Sequence, residues 1–460
     1  MKSTDVRIWS IRAKPRKGKI SYEVRWSVAG RPFSRSRSTQ GLAKKLHAKL
    51  LMAEDAGEQF DTESGYPASM EEKEPAPVRT WYSFTQDYVR MKWPHASPNY
   101  RDEISEALTW VTKSLAPKGP GSPADADIHR ELRHWAFILP GPGERDIPEE
   151  ARSVLDWVEK NSPPLAALSQ PSIMRGVLDG LKLMLDGEAA GSSTVRRKRK
   201  ILVNAINYAM ELREFDENPL DAVSWTLPPK VVEVDPRVVA NPRQAANLLG
   251  AVSYVGGYRR ARGRRLVGMF AGMYYGGLRP AEATAVTVQD CHLPAEGWGM
   301  ANLHRTRPVV GKRWTKSGEV HDDRGLKNRD PEEVRPTPLP PQLVAIWRDS
   351  IDTFGTADDG RLFFNERGGL VGGSTYSRVW SEAREFGLPA DLVDTPLADR
   401  PYDLRHSALS TWLNAGVDPT EVAARAGNTV EVLLARYAKC LHGRHVVANK
   451  RIDDLFLEYV

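Results

Sequence analysis

The chain has 460 residues, a formal net charge of +6, 41% hydrophobic and 27% charged residues, and 13 Trp. That much apolar and aromatic material excludes wholesale disorder, and the longest apolar run, Leu266 to Leu278, is too short and too rich in glycine to span a bilayer. Only two cysteines occur and the start, MKSTDVR, lacks the apolar stretch of a secretory signal, so the expectation is a cytoplasmic protein of about three domains without a membrane segment.

Charge is unevenly placed. Met1 to Leu50 holds fourteen Lys/Arg against two acids, while the remainder of the chain is net acidic. Ile20, Tyr22, Val24, Trp26 and Val28 alternate with Ser21, Glu23, Arg25 and Ser27, the period of a strand buried on one face. Ala29-Gly30 turns into a second strand through Phe33 with Arg31, Arg35 and Arg37, and Leu42, Leu46, Leu50 and Ala53 then follow at helical spacing. Residues 1–62 therefore read as a small sheet with one packed helix. Its basic residues, Arg25, Arg31, Arg35 and Arg37, are candidate phosphate contacts, because a β-ribbon fits a DNA major groove.

Residues 63–78, rich in Glu, Pro, Ser and Gly, read as a linker. From 79 to 227 the pattern is helical, with Ser97-Pro98 as an N-cap and first turn, and Pro/Gly-rich loops at Ala116 to Asp127 and Leu139 to Asp146. A helix after Ser192 carries Arg196, Arg197, Lys198, Arg199 and Lys200 at one end and Ile201, Ala205 and Tyr208 beyond them; the first four are further candidate DNA contacts. Leu227-Pro228-Pro229 opens a second linker, and a final module spans 232–460. The fold class expected is multi-domain α+β, mainly helical, with a β-hairpin between Met300 and Leu339 in the last module.

Three stretches of that module carry chemistry: GLRPAE around Arg279, YDLRHS around Arg405 and RYAKC around Tyr437. A guanidinium presents a planar fork of donors to phosphate oxygens and keeps its proton, so two of them can neutralise charge building on phosphorus. A tyrosine oxygen can attack and hold the cut strand covalently. Pro280 can start a helix after Arg279, with Glu282 fixing the guanidinium or the turn. Hairpin lysines can protonate a departing alkoxide across bound DNA; Lys327 is the first choice and Lys316 the second. Asp418-Pro419-Thr420-Glu421 caps a helix that stops at Gly427, and Asn428 lies just past it.

In order, spacing and context these residues resemble the tyrosine recombinases, the phage-type integrases. The resemblance covers the final module and extends more loosely to the helical module, where ENPL at Glu217 to Leu220 matches its end, and to the basic first module, similar to an arm-site-binding domain. It implies that Arg279 and Arg405 are the catalytic arginines, Lys327 the hairpin lysine, Tyr437 the nucleophile, and that Tyr402 and Asn428 stand where the family most often has histidine. A phenol and a carboxamide can still donate hydrogen bonds to phosphate but cannot shuttle protons near neutral pH as imidazole does. His406, one step from Arg405 along a helix and so turned about 100° away, is expected to be a buried structural hydrogen-bonding residue.

The implied activity is site-specific recombination of double-stranded DNA through a 3′-phosphotyrosyl link and a Holliday junction. A homotetramer on two DNA sites would integrate or excise a mobile element or prophage, needing no metal or nucleotide cofactor, with a directionality factor as a further partner. The alternative is a DNA-binding relic or regulator that has lost its histidines and forms no covalent adduct; a sequence-independent topoisomerase is a third reading. His321-Asp322-Asp323 and Cys440, His442 and His445 are metal-ligand types, but without the spacing of a structural zinc site.

Overall fold

The computed structural model describes residues 2–16, 19–67, 69–70, 78–230, 233–257, 260–326, 330, 332–440 and 444–457. They fall into two units, Met1–Arg79 and Thr80–Val460. The first contains β1 (Lys2–Ser3), β2 (Val6–Arg16), β3 (Lys19–Val28), β4 (Arg31–Arg37), α1 (Gln40–Asp55) and β5 (Phe60–Asp61). Strands β2, β3 and β4 form an antiparallel meander, and β1 pairs with β5.

The alternation in β3 drives this unit. Val24, Trp26 and Val28 are fully buried, and Ala43, Leu46, Leu50 and Ala53 of α1 close over them. Leu42, expected in that stripe, is instead exposed; the buried face is turned by one residue and takes Ala43. Part of the expected linker also folds back, since the Trp26 indole donates to the Gly65 carbonyl and the Tyr66 ring packs 5.5 Å from Trp26. Residue 68 and residues 71–77 of that stretch lie outside the described residues.

The second unit begins with α2 (Trp81–Lys92), α3 (Pro98–Leu115), α4 (Asp125–Glu131), α5 (Glu149–Asn161), α6 (Pro171–Gly180) and α7 (Ser192–Glu211). Ser97 caps α3 and Pro98 occupies its first turn, as the sequence implies. Trp81, Phe84, Tyr88, Leu108, Val111, Leu202 and Ile206 share one core.

The chain continues through α8 (Pro242–Val252), α9 (Ala261–Tyr275), α10 (Pro280–Ala283), β6 (Cys291–His292), β7 (Gly299–Leu303), β8 (Arg305–Thr306), β9 (Arg324–Gly325) and β10 (Arg335–Leu339). It ends in α11 (Pro341–Phe354), α12 (Gly373–Gly387), α13 (Ala390–Val393), α14 (Asp403–Asn414), α15 (Pro419–Ala426), α16 (Val430–Tyr437) and α17 (Arg444–Leu457). The expected hairpin is present: β7 pairs antiparallel with β10, and β8 with β9 further out. Its outer loop is pinned to the helices, because Arg101, 2% exposed, donates to the Trp314 carbonyl at 2.8 Å, and the Trp314 ring lies 6.1 Å from that of Trp93, tilted by 46°. Residues Ile452, Leu455, Phe456 and Leu457 of α17 are exposed. Among the described residues no helix is long and apolar enough to cross a membrane.

Trp347 centres the core of the last module, fully buried, with its indole N–H 2.9 Å from the Gly268 carbonyl. A Cβ at Gly268 would lie 2.6 Å from the Phe363 ring, so α9 needs glycine to approach this closely. Trp347→Ala removes that packing and leaves a cavity. It is expected to cost about 3–5 kcal/mol, read as a lowered midpoint of the main urea transition.

Candidate active site

Gly276 and Gly277 end α9, and Pro280 starts α10 one residue after Arg279, so Arg279 stands in a sharp break between helices. Glu282 secures this break from the next turn. One of its oxygens accepts from the Arg279 backbone N–H at 2.8 Å and the other from Nη1 at 2.7 Å, fulfilling both roles open to it from sequence. The same carboxylate accepts from Nη1 and Nη2 of Arg335 at 3.0 and 2.8 Å. Glu282 is 1% exposed. Burial alone would favour its neutral form, but the Arg335 and Arg279 charges overcome this and hold the carboxyl down at about 2.

Arg405 enters from the first turn of α14, a helix buried almost all round. It is 1% exposed and donates to the Gly277 carbonyl and, at 2.6 Å, to the Ala426 carbonyl. Burial, then repulsion from Arg279, lowers its pKa. Burial works against the Arg279 charge as well, yet Glu282, helped by Tyr402, more than compensates and raises that pKa.

Asn428 joins the two arginines. It follows Gly427, the left-handed C-cap of α15, and its Oδ1 accepts from Arg279 Nη2 at 3.0 Å and Arg405 Nη2 at 3.5 Å. Gly427 is required twice over: its φ is +61°, and a Cβ there would meet Arg335 Nη1 at 2.2 Å.

Tyr402 precedes α14, half-buried, with its ring edge-on to His406 at 5.0 Å. His406 is buried, as expected from sequence, and its Nδ1 lies 2.8 Å from the Tyr437 hydroxyl. Tyr437 ends α16 and is 1% exposed in a small cluster with Leu409, Leu413, Val422 and Leu433. Burial pushes its phenol well above the ordinary tyrosine range, against the pull of Arg405. Burial and then Arg436, Arg405 and Arg400 push the His406 imidazole down to about 3.

The structure thus brings Arg279, Tyr402, Arg405, Asn428 and Tyr437 together, with Arg279, Tyr402 and Asn428 at the more open rim and Arg405 and Tyr437 beneath. Lys327 lies outside the described residues; Lys316 is exposed on the hairpin loop. Of the residues around this cluster, Arg335 was not singled out and His406 was read only as structural. Arg335 occupies an inward position of β10, where an arginine needs an internal acid, and that requirement was its signal. His406 was read as buried, but its partner was not.

The basic residues proposed for DNA divide by face. Strand register puts Arg31, Arg35 and Arg37 on the side of Val28, Val24 and Tyr22, where Arg31 and Arg35 remain exposed and lie against the Phe33 and Tyr66 rings. Arg25 is on the opposite side, with Ser34, Trp9, Arg7, Arg12 and Lys14, of which Arg7, Arg12 and Lys14 are exposed and were not chosen from sequence. In α7, Arg197 is exposed; Arg196 is tied to the Pro228 carbonyl at 2.8 Å and Arg199 lies near the Trp225 ring. Lys198 does not fit an outward phosphate contact, because it is 2% exposed with its ammonium 3.7 Å from the Trp110 ring centre. One step along a helix turns a side chain about 100°, so a continuous basic run must send some members inward.

No family model matches the sequence, and no curated protein matches it. Solved structures do. The fold is similar to that of the Tn1549 transposon integrase in complex with transposon right end DNA, at TM-score 0.50 and 15% identity over 82% of this chain and 99% of that one. The same integrase with a circular intermediate DNA gives the same values. A lambda integrase tetramer bound to a Holliday junction overlaps at TM-score 0.42 and 11% identity, over 90% of this chain and 92% of that one. The chain has the fold of the tyrosine recombinases.

Two outcomes are expected. Glu282 has a folded-state pKa depressed from 4.5 to about 2, so its stabilisation is fully present above 4.5 and lost as pH falls towards 2. Unfolding free energies measured across that window should drop in the wild type, and Glu282→Gln should flatten the drop. Gly427→Ala should cost about 1–3 kcal/mol in thermal unfolding, through its backbone conformation and the displaced Arg335.

Proposed function

We propose that this chain is a site-specific DNA recombinase of the tyrosine type, acting on a mobile element or prophage. The observation that carries the reading is the pair Arg279 and Arg405, both bonded to Asn428, beside a tyrosine whose hydroxyl meets an imidazole. Duplex DNA is the natural ligand of such a pair, and the Tn1549 integrase, whose fold this chain shares, was solved on DNA.

In this reading the scissile phosphodiester settles at the rim, its non-bridging oxygens held by Arg279 and Arg405. Tyr402 and Asn428 orient the guanidinium groups and add donors. Tyr437 Oη attacks phosphorus and forms a 3′-phosphotyrosyl bond as the bond to the 5′ oxygen breaks. The hairpin lysine, Lys327, gives that oxygen its proton. The covalent bond conserves the energy of the phosphodiester, so rejoining to a second strand needs no nucleotide, and four copies on two DNA sites complete the exchange. The exposed side of the first sheet, with Arg7, Arg12, Lys14 and Arg25, binds further duplex.

The test uses full-length protein and a pool of nicked duplexes of randomised sequence, where a nick beside the cut lets the short leaving strand diffuse away. Wild type should become covalently joined to DNA and resist denaturing electrophoresis, and Tyr437→Phe should give no adduct. Equal trapping by both proteins, or none by wild type, overturns the proposal and in the second case favours a protein that only binds DNA.

A further inference from the structure

Tyr437 as it stands is a protonated, buried phenol. Attack on phosphorus requires its proton to leave, and solvent has little access to a side chain 1% exposed. Groups facing the hydroxyl and the imidazole come from three places: Arg405, Tyr402 and Arg400 in and before α14, Arg436 on α16, and Cys440 just beyond it. The arginines are cations and hold their protons. The Cys440 thiol is turned to the Val234 carbonyl and is itself pushed up by burial. The Tyr402 ring packs against His406.

His406 differs from all of these. Its Nδ1 is 2.8 Å from Oη, and the two rings lie 5.7 Å apart at 60°. A neutral imidazole has one nitrogen that accepts and one that donates, and its surroundings keep this one neutral. We propose that His406 is the proton acceptor for Tyr437 during strand cleavage and returns that proton during rejoining, an assignment resting on the recombinase reading above.

The step balances. The phenolic proton passes to His406 Nδ1, Oη bonds to phosphorus, and the electron pair of the breaking bond leaves on the 5′ oxygen, which is protonated by the hairpin lysine. In rejoining, a 5′ hydroxyl attacks phosphorus, and the imidazolium protonates the departing Tyr437 oxygen. Among three arginines an imidazolium is unfavourable without DNA; the negative charge of a bound phosphodiester, largest in the transition state, offsets this. Proton transfer is thereby tied to substrate binding. The imidazole that Tyr402 and Asn428 no longer supply is present at a different position, directed at the nucleophile.

His406→Asn and His406→Phe separate the alternatives, because Asn keeps an acceptor oxygen near Nδ1 without its basicity, and Phe keeps only the ring's bulk. Adduct formation is timed for full-length proteins on a nicked duplex recovered by wild-type capture, across a pH series, with melting and duplex binding as controls. His406→Phe should be slower by about 10²–10⁴-fold, the usual contribution of a positioned general base. His406→Asn should remain at least about tenfold below wild type near neutrality, with a rate that climbs with pH where the wild-type rate is level. A 5′-bridging phosphorothioate substrate, whose sulfur leaves without an acid, should restore neither variant. A His406→Asn rate equal to wild type, or restoration by sulfur, overturns the inference while leaving the recombinase reading intact. Absence of any wild-type adduct sinks both.

Discussion

A single buried carboxylate organises the C-terminal half of this protein. Glu282, 1% exposed, receives Arg335 and Arg279, and Arg405 lies close enough to add to its ionisation. Three guanidinium groups around one carboxylate leave an excess of positive charge in a poorly hydrated region. Such a charge is tolerated when hydrogen bonds satisfy the guanidinium donors. The Gly277, Ala426 and Gly427 carbonyls and the Asn428 amide oxygen supply the hydrogen bonds. Of the three guanidinium groups, that of Arg279 is the most open, with its side chain 20% exposed.

The departures at Tyr402 and Asn428 are consistent with that arrangement. Asn428 accepts from both arginines, a role that a protonated imidazole could not fill and that fixes the spacing of the guanidinium groups. Tyr402 touches Arg279 on one side and the His406 ring on the other, so it links the charged rim to the aromatic cluster beneath. In the proposed mechanism, charge stabilisation and proton transfer are divided between different side chains.

The sequence was most legible where local rules act alone. Alternation in β3, the Ser97-Pro98 start of α3 and the left-handed stop at Gly427 all express short-range stereochemistry, and each element lies where its pattern places it. Arg279 and Glu282 were readable as a unit because they stand three residues apart across one turn. Arg335 was not, since its partner lies 53 positions away and no local pattern announces a long-range ion pair. His406 was placed correctly as buried, but the helical-wheel argument that set it aside from Arg405 could not show that the face it turns to belongs to Tyr437 on α16. A run of like charge misled for a related reason: in α7 the periodicity of the backbone, not the sign of the residue, turns Lys198 inward.

The central claim is that Arg279, Arg405 and Tyr437 act on one phosphorus atom. The most direct measurement is a crystal structure of the full-length protein on a captured, nicked duplex with orthovanadate, which adopts the five-coordinate geometry of phosphoryl transfer. The account predicts vanadium bonded to Tyr437 Oη and to the 5′ oxygen at opposite apices, with both guanidinium groups on its equatorial oxygens. Vanadium bound elsewhere on the protein, or coordinated at this rim while Tyr437 stays enclosed and unbonded, would contradict it.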